Sequence, residues 1–167
     1  MTAAQLKACA DYLEATYLPR LRAAAAVLPP EDLWWRPYPD CIAFGTILVH
    51  LEGNVRQWIL AGVLGADDHR ARSAEFRADA SSEPRSVAEL LAALAGTVGE
   101  AAAGIRGLDS DRAGAKLQIQ GFDTTVEGAV LHVTEHFSWH TGQAVWIAKA
   151  RAGAGHGLAF YNDAELE

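Results

Sequence analysis

Between Val126 and Ile147, apolar side chains recur at Val126, Ala129, Val133, Phe137, Ala144 and Ile147, and three histidines, His132, His136 and His140, are threaded among them at intervals of four. Such a segment can bury its apolar stripe only as an α-helix, because that spacing follows the 3.6-residue turn and not the two-residue alternation of a strand. Two imidazoles four residues apart lie on one helix face and can converge on a single ion about 2 Å from each nitrogen. Three in succession cannot all do so easily. Measured from the centre of the apolar stripe at about 100° per residue, His140 lies about 20° away, His136 about 60° and His132 about 100°. The favoured pair is therefore His136 with His140. His132 is read as a supporting group, and the pairing of His132 with His136 stays open as the alternative.

The rest of the chain reads as helical too. Leu6, Cys9, Leu13 and Tyr17 make one face of a first helix from about Ala3 to Val27, kinked by Pro19 and stopped by Pro29-Pro30. A second spans about Ile42 to Leu64, with Phe44, Ile47, Leu51, Val55 and Trp58 facing inward and Gly65 as its stop. A polar connection follows from Ala66 to Arg85, longer than ordinary loops, and its acidic and basic part from Asp67 to Arg77 reads equally as a lid or as a solvated connection. Ser86 with Glu89 forms a capping box that opens a third helix, ended by glycines 104, 107 and 114. Lys116 to Gln120 alternates so briefly that it reads as an extended stretch and not a true strand, and Thr124 or Thr125 caps the fourth helix, which runs to about Ala150. The tail from Gly153 is glycine-rich, then acidic, with Phe160-Tyr161 as its docking point. The expectation is one all-α domain spanning residues 1–167, a bundle of four helices.

Composition narrows the partners. A net charge of −7 with 14 scattered Lys and Arg residues offers no basic stripe for a phosphate backbone, so nucleic acid is not expected. No uninterrupted apolar run approaches the roughly 20 residues of a membrane span, and no leader pattern opens the chain, so a cytoplasmic protein is expected. Cys9 and Cys41 form no Cys-x-x-Cys pair and are read as reduced packing residues.

A two-histidine site is incomplete, and helix two offers His50, on a polar strip with Asn54 and Gln57 beside the apolar stripe. Such a strip marks either a site or a solvated boundary. His69 and His156, in the long connection and the glycine-rich tail, are read as exposed. Asn54 and Gln143 are candidates for orienting a ligand or water, although each also suits a satisfied core amide. Trp34 and Trp35 are read as packing anchors before they are read as a pocket mouth.

These residues resemble the DinB-like superfamily over nearly the full length. The resemblance rests on Leu33-Trp34-Trp35-Arg36-Pro37, on His50-Leu51-x-Gly53-Asn54 with Gln57-Trp58-Ile59, on Asp68-His69-Arg70-x-Arg72 with Glu75-Phe76, and on Glu135-His136-x-x-x-His140-x-Gly142-Gln143. It implies an up-down-down-up bundle, one divalent metal ion on His50, His136 and His140, and frequent homodimers. It also implies kinship with thiol transferases and isomerases that use low-molecular-weight thiols such as bacillithiol or mycothiol. Members often open helix two with Asn-Ser, where this chain has Asp40-Cys41-Ile42.

Three neutral imidazoles leave coordination positions open, as catalytic ions require, and suit zinc or nickel best. Hydrolysis would want a carboxylate base, yet Glu52 and Glu135 both point away from the apolar faces of their helices. Thiol transfer depends less on one, since a metal stabilises thiolate directly, and the site tilts mildly that way. The expected function is thus a metal-dependent enzyme on a small molecule, a thiol S-transferase before a hydrolase, with a low-molecular-weight thiol as cosubstrate. The competing reading is a non-catalytic bundle whose ion serves stability, storage or sensing. No particular catalytic side chain is assigned.

Overall fold

The computed structural model describes residues 1–160, so Tyr161 and the acidic end of the tail lie outside the described residues. The chain is mostly helical. The first long helical stretch is α1 (Ala3–Asp11), a wide π turn (Tyr12–Tyr17) and α2 (Leu18–Val27). Pro19 explains the π turn: without an N–H it cannot bond the carbonyl four residues back, and its ring crowds that carbonyl. The chain answers by widening one turn, so that the Leu18 N–H donates to the Leu13 carbonyl. Pro29-Pro30 then ends the helix as read.

The second stretch is α3 (Phe44–Val55), continued by a π-helical segment (Arg56–Val63) and closed at Gly65, whose φ of +84° only glycine adopts freely. The connection from 66 to 85 is not wholly irregular, because Arg72–Arg77 form the short helix α4. Ser86 accepts from the Glu89 N–H while Glu89 accepts from the Ser86 N–H, and this reciprocal cap opens α5 (Val87–Arg106). By length and composition α5 is apolar enough to cross a membrane. Its Leu90, Leu94, Val98 and Ile105 are instead spent inside the protein, where α5 packs on α1 and α3.

One expectation needs correcting. Residues 116–120 do not form a lone extended stretch: β1 (Lys116–Ile119) pairs antiparallel with β2 (Phe122–Thr125), Lys116 facing Thr125 and Ile119 facing Phe122. The two-residue turn between them places Gln120 at φ 54° and Gly121 at φ 79°, the paired positive angles that match strand twist in a tight hairpin. Asn-Gly would have announced such a turn; Gln-Gly does so weakly. Thr125 ends the hairpin and caps α6 (Val126–Ala152) by accepting from the Gly128 N–H, while the Val126 N–H is taken by the Ala115 carbonyl. The hairpin thus anchors the start of the histidine-bearing helix.

The core lies where α3, α5 and α6 meet the first helical stretch. Phe44, Ile47, Leu51, Val133 and Phe137 are fully buried there, with the Phe137 ring stacked on Tyr17 at 6.1 Å. Trp34 and Trp35 pack against this core as anchors: Trp34 covers Gly45, and Trp35 lies under the Arg151 guanidinium at 4.6 Å, which in turn pairs with Asp32 at 2.9 Å. Phe160 docks on the core edge beneath Arg20, 5.3 Å away.

Candidate metal centre

Helices α3 and α6 pack side by side, and their contact brings His50 to His136 and His140. The Nε2 atom of His136 lies 3.2 Å from Nε2 of His50 and 3.2 Å from Nε2 of His140. Two nitrogens bound tetrahedrally to one ion at 2.0–2.1 Å stand about 3.3 Å apart, so the spacing suits shared coordination. His132 stays outside this group, its ring 4.0 Å from Trp58 and stacked on His136 at 5.5 Å. His69 is exposed, and His156 turns back to accept the Leu158 N–H at 2.8 Å.

Proton bookkeeping shows whether these side chains could complete one another without an ion. His50 Nδ1 faces a carboxylate oxygen of Glu75 at 2.8 Å, an acceptor only, and the donor Nη2 of Arg70 at 3.2 Å; the shorter contact to the carboxylate favours the ring proton on Nδ1, which leaves a lone pair at Nε2. His140 Nδ1 donates to Gln143 Oε1 at 2.7 Å, which likewise leaves Nε2 bare. Burial, reinforced by the neighbouring histidines, lowers His136 to about 3, and burial with the His50 charge lowers His140 to about 4. His136 and His140 are therefore neutral near pH 7. A single Nε2 proton on His136 can satisfy only one of the two facing lone pairs, and its Nδ1 is then buried without a partner. What fits the convergence of these nitrogens is a cation.

Glu75 is the residue that sequence reasoning gave no role. It comes from α4, is 7% exposed, and is gripped by Arg70 through two bonds of 2.7 and 2.8 Å. Burial would raise its pKa, yet bonds from Arg70 and His50 prevail and hold the carboxyl below its ordinary value. A Cβ on Gly53 would stand 2.1 Å from Glu75 Oε1, so the glycine leaves the room that lets the carboxylate reach His50. The long connection is thus the support of the site, carrying the carboxylate that orients one of its histidines. Gln57 extends the support, accepting from Arg70 at 3.0 Å and donating to Asp68 at 2.7 Å. Glu75→Gln should weaken binding of a divalent ion by about 10–100-fold, measured by competition with a chromogenic chelator.

Neutral buried histidines also set a pH dependence for the metal-free protein. Their folded pKa values lie below the unfolded 6.5, so between pH 6.5 and about 4 the unfolded chain binds more protons. Stability is complete above pH 6.5 and falls as pH drops toward 4. The urea midpoint of chelator-treated protein should accordingly be lower at pH 5 than at pH 7.5.

The cluster opens on two clefts at different levels of α6. One, about 370 Å³, has the more polar lining of the two and is bounded by His50, His136, His132, Arg72 and the hairpin's Gln120 and Asp123. Asn54 and Trp58 lie buried along it, and Asn54 Oδ1 and Trp58 Nε1 have no hydrogen-bond partner among the described residues. The other, about 620 Å³, is apolar and has His140 in its wall.

A helical protein with a convergent set of three supported histidines and adjoining clefts belongs to the class able to hold a metal ion next to a small-molecule ligand. The model of the mycothiol-S-transferase family matches residues 10–150, and the chain belongs to that family, a DinB-like family related to metal-dependent thiol transferases. No curated protein sequence matches it.

Proposed function

We propose that this protein is a metal-dependent thiol S-transferase, joining a low-molecular-weight thiol of the mycothiol kind to a small electrophile, with one zinc or nickel ion held by His50, His136 and His140. The observation that carries this reading is the convergence of three Nε2 atoms, two with their lone pairs fixed inward by Glu75 and Gln143, in a member of the mycothiol-S-transferase family. The fold that carries it is read as a single DinB-like domain, an up-down-down-up bundle of the helical stretches 3–27, 44–63, 87–106 and 126–152.

A divalent ion bound there supplies positive charge that lowers a thiol's pKa and favours thiolate near neutral pH. The protein's own groups do the rest. Glu75 and Gln143 hold two of the imidazoles in the tautomer that ligation needs. Arg72, Gln120, Asp123 and His132 line the cleft on this side and suit the hydroxyl and amide groups of a hydrophilic thiol. Hydrolysis is disfavoured because the carboxylate at the cluster, Glu75, is committed to Arg70 and His50, while Glu52 pairs with Arg56 and Arg85 and Glu135 is exposed.

The test is thiol consumption by protein loaded with zinc or nickel, given mycothiol and 1-chloro-2,4-dinitrobenzene. Consumption that depends on the ion and disappears on chelation supports the reading. A rate equal to that of the uncatalysed mixture, with the ion demonstrably bound, would assign the metal a non-catalytic role.

A further inference from the structure

The polar cleft accounts for a hydrophilic thiol, but nothing yet accounts for the larger cleft beside His140. Its walls include Trp139, Trp146, Ile42, Ile147 and Pro37. Trp139 and Trp146 are 63% and 62% exposed, an unusual placement for the two largest apolar side chains of α6. They stand three residues before and four residues after Gly142, on one helix face. Nothing lies within 4 Å of where a Cβ on Gly142 would be, so the glycine is an open floor between two indoles. The Trp139 ring stacks on His140 with the planes 15° from parallel and the centroids 6.2 Å apart, which sets the indole directly beside the histidine. The cleft's volume matches those that hold a small organic molecule.

We infer that this cleft binds the electrophile, and that the electrophiles this protein takes are flat aromatic or comparably apolar molecules. The inference rests on the thiol-transferase reading and adds to it the class of the second substrate and the side from which it comes. The hydrophilic thiol approaches past His136 and Asn54, the apolar electrophile past His140 between the tryptophans. With an aryl halide the thiolate sulfur forms the new S–C bond, halide leaves with the electrons of the broken C–halogen bond, and the thiol proton passes to solvent.

Binding is tested apart from turnover with 1,3-dinitrobenzene, which has no leaving halide and quenches tryptophan emission. It should quench metal-loaded protein saturably. A Cβ at Gly142 meets nothing within 4 Å and leucine has the better helix propensity, so Gly142→Leu should fill the floor in a chain that folds. It should weaken probe binding at least about tenfold, as should Trp146→Ser, roughly the loss of one or two aromatic contacts. Both variants should raise KM for 1-chloro-2,4-dinitrobenzene while KM for mycothiol moves little. Leu131→Ser, which removes an exposed apolar side chain of the same helix lining neither cleft, should change none of these. Saturable probe binding that Gly142→Leu abolishes upholds the cleft even if no thiol is consumed, in which case only the transferase reading fails. Probe binding that is absent in the wild type, or unaltered in Gly142→Leu, overturns the inference even if the enzyme is active. So does a dimer that Gly142→Leu dissociates with probe binding intact, since the tryptophans would then belong to a second copy.

Discussion

Replacing His136 with alanine is expected to leave a folded protein that neither retains a divalent ion nor transfers a thiol. His136 is the hinge of the site, since its Nε2 is the atom that both other imidazoles approach to 3.2 Å. Without it, His50 and His140 are left on different helices with no nitrogen between them, and the fall in affinity should exceed the 10–100-fold expected for losing only a supporting residue. The fold should survive. In metal-free protein His136 is a desolvated ring with an unpartnered Nδ1 and at most one bond from its Nε2, so its removal takes away a buried unsatisfied group together with that single bond. Helical content by circular dichroism should match that of the wild type, while metal content and thiol consumption both vanish.

The largest effect on stability is expected one residue further along. Phe137 is fully buried behind the ligands, and Phe137→Ala should cost about 3–5 kcal/mol, the range for emptying an aromatic site in a core. Against the 5–15 kcal/mol typical of a folded domain, that is a large share. The ring's stacking on Tyr17 ties α6 to the first helical stretch, so the cavity would open in the packing that holds the histidine helix in place. Urea denaturation should show the midpoint falling with little change in slope. The two neighbouring positions thus separate chemistry from structure: His136 for the ion, Phe137 for the frame.

Much of this was legible in local spacing. The four-residue interval of His136 and His140, the wheel that set His132 to the edge, and the Ser86–Glu89 cap are all decided within one or two helical turns. His50 was legible only as a residue on a polar strip, because its partners lie 86 residues away on α6 and 25 away on α4. Glu75 and Arg70 had no periodic pattern to announce a role, since they act through the docking of an irregular segment on α3, which depends on the absence of a side chain at Gly53. The hairpin escaped for a related reason. Its turn is made by Gln120 at positive φ, a conformation that this residue type seldom advertises. The two exposed tryptophans carry no meaning in a helical wheel alone; their place beside His140 gives them one.

The central claim is that three histidines from two helices hold one ion. The most direct test is elemental analysis of the protein purified without a histidine tag, set beside its His50→Ala, His136→Ala and His140→Ala variants. The account predicts about one divalent ion per chain in the wild type, lost from each variant while the helical spectrum persists. A wild type that carries no ion after exposure to zinc and nickel, or variants that keep theirs, would contradict it.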